Sequence, residues 1–107
     1  MQDKILPQAV EAEETVIGTL LSYPDSINNV MAILTPEMFY KVDLQNIYKC
    51  CIDIIQRFGS VDLITVSNEL KGKIDIIYLT ELSGRVVTDR MVESHAMLVK
   101  EKYLLRK

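Results

Sequence analysis

Apolar residues recur at three- and four-residue intervals along almost the whole chain, and no stretch alternates convincingly as a strand. Val10, Ile17, Leu20 and Leu21 fall on one face of a first helix, entered through Pro7 and closed at Tyr23-Pro24-Asp25. Asp25 or Ser26 is placed to cap a second helix carrying Ile27, Val30, Met31 and Leu34, ended by Thr35-Pro36. Pro36 to Tyr40 reads as a short turn of helix with Thr35 as its cap and Met38 and Phe39 pointing inward. The clearest amphipathic helix runs from about Asp43 to Phe58, with Leu44, Ile47, Cys51, Ile54, Ile55 and Phe58 on one side and Gly59 as a left-handed stop. Ile52 falls off that stripe and Cys50 lies at its margin, so Cys51 is expected to be the more buried of the two.

Asp62 is the natural N-cap of a helix in which Leu63, Val66 and Leu70 share a face and Gly72 is the stop. Another short helix is predicted from Asp75 to about Ser83, with Ile76, Leu79 and Leu82 apolar and Gly84-Arg85 closing it. The β-branched content of Ile74 to Leu79 leaves a strand there as the alternative. Thr88 or Asp89 then caps a long final helix running to the last residue. It carries Val92, Ala96, Val99 and Tyr103 on one face, and a second line, Met91, Leu98 and Leu105, repeats every seven residues beside it. The expected fold is all-α, a compact bundle of six to seven helices with short connections. Because Leu104 to Lys107 carry no terminating signal, more protein is expected downstream.

Composition narrows the class. A chain of 107 residues, 49% apolar and 25% charged, holds one core, and its apolar residues are too dispersed to build a membrane span. No basic-then-apolar leader opens it, so a cytoplasmic setting is expected. The net charge is −3, unevenly placed: Met1 to Asp53 has three Lys or Arg against eight Asp or Glu, and Ile54 to Lys107 has nine against seven. Strong nucleic-acid binding, which usually shows a basic excess, is therefore not expected.

The chemistry-bearing residues do not converge. Neither GxxxxGK[ST] nor GxGxxG occurs, and Gly72-Lys73 is followed by Ile74 where a phosphate loop needs Ser or Thr. Cys50 and Cys51 are adjacent, His95 is distant from both, and no metal-ligand spacing results, so two reduced thiols are expected. Glu11, Glu13 and Glu14 suit the positive end of a helix dipole. Glu13 lies near the apolar stripe, where it can reach a backbone amine or an Arg at the edge of the core. Tyr23, Tyr40, Tyr48, Tyr78 and Tyr103 are scattered and make no base-stacking series. The chain is expected to be non-catalytic, with no catalytic, cofactor or metal residues.

Five segments, in order, carry a resemblance: EAEETVIGTLL (Glu11 to Leu21), LTPEMFY (Leu34 to Tyr40), NIYKCCIDIIQRFGSVDLITVSNEL (Asn46 to Leu70), YLTELSGRV (Tyr78 to Val86) and HAMLVKEKYLLRK (His95 to Lys107). Together they resemble the N-terminal domain of bacterial replicative DNA helicases of the DnaB type. The chain departs from that pattern at Leu44-Gln45, where a His-Arg pair is usual, in a short loop between Leu70 and Tyr78, and at Val87, where a proline is usual.

The resemblance implies that residues 1–107 are one globular head domain, followed in a complete protein by a helical hairpin and a RecA-like ATPase domain. Such heads assemble into a collar on a hexameric ring and help dock primase and helicase loaders. ATP and Mg would belong to the motor alone. A helicase-binding helical domain of another replication protein, such as the primase C-terminal region, is the second reading. Apolar residues left off the core stripes, Ile52, Met91, Leu98 and Leu105, are the candidate self-association or partner surface.

Overall fold

The computed structural model describes residues 6–107. Six α-helices follow in order: α1 (Val10–Ser22), α2 (Ile27–Met31), α3 (Val42–Phe58), α4 (Leu63–Glu69), α5 (Ile76–Ser83) and α6 (Asp89–Arg106). Single 3₁₀ turns at Pro24–Ser26 and Pro36–Met38 bracket α2, and no strand occurs among the described residues. Ile74 lies in the connection before α5 and Ile76 to Leu79 are helical, so the strand alternative is excluded.

The helix ends follow local chemistry. Asp62 accepts the Thr65 N–H at 2.8 Å, Asp75 that of Ile77 at 2.9 Å and Thr88 that of Met91 at 3.3 Å, each satisfying an amide the helix cannot pair itself. Gly59 ends α3 with φ 82°, where a side chain would be strained. Other expected caps do not form. Ser26 donates its hydroxyl to the Tyr23 carbonyl, and Thr35 to Glu37, so α2 and the Pro36 turn lack side-chain caps. α2 stops at Met31 rather than continuing to Leu34, and α6 ends at Arg106.

α1 is the hub. It packs against α3, α5 and α6, and burial is nearly continuous from Val16 to Leu21. Gly18 permits this: a Cβ there would overlap the carbonyl oxygens of Leu82 and Arg85, where the end of α5 crosses α1. Ser22 donates to the Ser83 carbonyl at 3.0 Å and the Val87 amide donates to Thr19 Oγ1 at 3.2 Å, fastening the same crossing. From α3, Leu44, Ile47, Tyr48, Cys51 and Ile54 complete the core, and the Tyr48 hydroxyl donates to the Leu34 carbonyl at 3.0 Å. Burial pushes the Cys51 thiol up to about 12, with Cys50 the lesser cause, so Cys51 is a packing sulfur; Cys50 is half-buried.

Three residues placed on apolar stripes stand outside the core: Met31, Phe58 and Ile76 are 41%, 67% and 50% exposed. Each lies at the last or first residue of its helix. Val10, Met38, Ile55 and Tyr103 are half-buried.

Candidate protein-interaction surface

The carboxylates of α1 have structural work. Glu13 is fully buried and accepts the amides of Tyr40 at 2.8 Å and Lys41 at 3.3 Å, tying α1 to the entrance of α3. Burial raises its pKa; the two amides and the charges of Arg106 and Lys41 oppose this. Glu14 accepts from the Tyr78 hydroxyl at 2.8 Å and pairs with Arg85 at 3.5 Å, while Lys41 donates to the same hydroxyl at 2.9 Å. Burial and the bond to Glu14 raise the Tyr78 pKa. Arg106 donates to the carbonyls of Pro7 at 2.8 Å and Met38 at 2.9 Å, anchoring the end of α6. Every acid and base here is engaged in holding helices together, a polar clasp around a buried carboxylate.

The described residues contain no cluster of three or more His, Cys, Asp or Glu arranged to hold a metal. His95 is half-buried on the flank of α6, beside Thr15 and Arg85 in a shallow hollow. No helix is long and apolar enough to cross a membrane among the described residues.

What remains unspent is one side of α6. Val92, Ala96 and Val99 are buried against the bundle. At about 100° per residue, Met91, Met97, Leu98, Leu104 and Leu105 project from the opposite side. They are 48%, 63%, 39%, 54% and 60% exposed. Met97, Leu98, Leu104 and Leu105 line a groove of about 730 Å³ with Ala32 and Ile33, beyond the end of α2. This row of large apolar side chains left in water is the candidate interaction surface.

The four residues singled out from the sequence are distributed unequally. Leu98 and Leu105 share this groove; Met91 lies on the same side of α6 toward its start. Ile52 is half-buried against the core from α3, which packs on α1 and α4 rather than alongside the groove. Met97 and Leu104 were missed, although they repeat at the same seven-residue interval one position earlier. Ile33 was missed because its place beside α6 depends on the turn after α2, which periodicity does not encode.

Comparison with known proteins agrees with this architecture over nearly its full length. The family described as DnaB-like helicase N terminal domain matches residues 5–101. The replicative DNA helicase DnaB of Rhodothermus marinus is 40% identical over 96% of this chain, and the replicative DNA helicase DnaC of Bacillus subtilis (strain 168) is 32% identical over all of it. The chain spans only 12% and 25% of those two relatives. The crystal structure of the N-terminal domain of DnaB helicase from Mycobacterium tuberculosis superposes with a TM-score of 0.88 and 33% identity, covering 95% of this chain and 78% of that one. Gly18, the buried Glu13 and the capped helices thus sit within a recognised architecture, and the chain belongs to the DnaB-like helicase N-terminal domain family.

Proposed function

We propose that this domain is the non-catalytic assembly head of a replicative DNA helicase, and that it associates with copies of itself through the outer side of α6. The relatives are named replicative DNA helicases and this chain spans only 12% and 25% of them, so ATP hydrolysis and DNA unwinding are assigned to a motor elsewhere in the protein. The head contributes to a collar on a hexameric ring and to docking of primase and helicase loader. The matched family takes precedence over the primase-like reading.

The observation that carries this reading is the apolar row on α6, exposed opposite the helix's own buried face. Isologous pairing of two such faces would bury it without disturbing the core. Leu98→Asp with Leu105→Asp is the test, read by sedimentation and far-UV circular dichroism. Loss of association with helicity kept supports the proposal. Unchanged association refutes it, and unfolding would make these residues core. DNA-stimulated ATPase activity from a clean preparation of this chain would overturn the non-catalytic assignment.

A further inference from the structure

A second apolar surface lies away from α6, on the short helices α4 and α5. Ile64, Ile76 and Ile77 are 80%, 50% and 66% exposed, and Leu63, Ile64, Ile74 and Ile76 line a groove of about 560 Å³. Local backbone chemistry shapes its rim. After α4 the chain turns sharply through Gly72, at φ 82°, with the amides of Lys73 and Ile74 both donating to the Leu70 carbonyl. That turn sets Lys71 in the groove wall and exposes Lys73 beside it.

The charge that lines the groove itself is positive, from Lys71. Asp62 and Asp75 are taken up as N-caps, and Glu69 pairs with Arg57. Neither Lys71 nor Lys73 belongs to an ion pair among the described residues. No carboxylate lines the groove, and Lys71 is the one charged side chain among its lining residues. We infer that this groove docks an acidic amphipathic helix of a protein partner, its apolar side on Leu63, Ile64, Ile74 and Ile76 and its carboxylates against Lys71 and Lys73.

The occupant follows from the lining. No strand edge is available among the described residues, so an extended peptide has no ladder to join, whereas a trough between two helices suits a helix. The lining holds no aromatic side chain on which a base could stack, which disfavours single-stranded nucleic acid. The other unpartnered apolar surface, on α6, carries four basic residues against three acidic, so a second copy docking through it would bring no net negative charge to the lysines. A separate acidic helix satisfies both halves of the groove.

The test uses the whole chain and two designed amphipathic peptides with the same Leu spacing, one with Glu on its polar side and one with Lys. Anisotropy of the labelled peptides gives affinity, and methyl spectra give the site. The Glu peptide should bind, weaken with added salt, and move the methyl resonances of Ile64, Ile74 and Ile76. Reversing both charges, Lys71→Glu with Lys73→Glu, should weaken it at least about tenfold and favour the Lys peptide. Ile64→Asp should abolish binding at unchanged helicity, since Ile64 is almost free of the core. Binding indifferent to peptide charge, shifts confined to α6, no binding, or the same methyls answering to a single-stranded oligonucleotide or to concentration of the chain alone would each overturn the assignment.

Discussion

α1 and α6 lie against one another, yet they spend their side chains in opposite ways. α1 is enclosed: eight of its thirteen residues are buried, including a glycine and a glutamate. Its polar groups are satisfied inside the molecule, Glu13 by two amides and Thr19 by the Thr15 carbonyl and Val87 amide. α6 is longer, at eighteen residues, and buries three. One face seals the bundle and the other offers large apolar side chains to water. A helix that is central to the fold tolerates little change, whereas a helix with a spare face can change there without loss of the fold. The two therefore separate a helix committed to the core from one with an apolar face to spare.

The largest effect should come from α1. Gly18→Ala forces a Cβ into two backbone carbonyls that cannot move independently, and is expected to cost about 3 kcal/mol, measured by urea unfolding. A loss below half of that would mean the α1–α5 crossing is looser than described. Glu13→Ala should follow at about 2 kcal/mol, because it empties a fully buried position and takes the acceptor from the part-buried Tyr40 and Lys41 amides.

Glu13 also gives a pH test. Its carboxyl has a raised pKa in the folded protein, so from its ordinary 4.5 upward the native state holds the proton more tightly than the unfolded chain. The wild type should accordingly lose stability relative to Glu13→Gln as pH rises from about 4.5 toward neutrality. The opposite slope in paired thermal melts would show that the amides and Arg106 outweigh burial. Smaller again is Asp62→Ala, where loss of an exposed N-cap should cost about 1 kcal/mol. Leu98→Asp and Leu105→Asp should each stay within about 0.5 kcal/mol, the sharpest contrast with α1.

Much of this molecule was readable from local pattern, because helix boundaries are set by residues a few positions apart. Asp62, Asp75, Thr88 and Gly59 act at the helix ends where their side chains or backbone suited them. The failures have two causes, one tertiary and one local. Phe58 and Ile76 lie on the expected sides of their helices, but how far a neighbouring helix extends over them is a tertiary property. Ser26 and Thr35 found other hydrogen-bond partners close by. The Glu14–Tyr78 bond joins residues 64 apart, and the need for Gly18 arises only once α5 crosses α1.

The exposed apolar side of α6 was half legible. Met91, Leu98 and Leu105 announced themselves by a heptad interval, while α6 as a whole reads as weakly amphipathic because it is apolar on two opposite sides. Ile52 was chosen for lying off its stripe, yet it is half-buried against the core. Nothing local distinguished it from the exposed residues of α6.

The central claim is that the outer side of α6 closes against a second copy. Methyl spectra recorded across a dilution series test it most directly. With increasing concentration, the Met91, Met97, Leu98, Leu104 and Leu105 resonances should move together while those of Ile64 and Ile76 stay fixed. Concentration-dependent shifts on α4 and α5 instead, or none on α6, would contradict it.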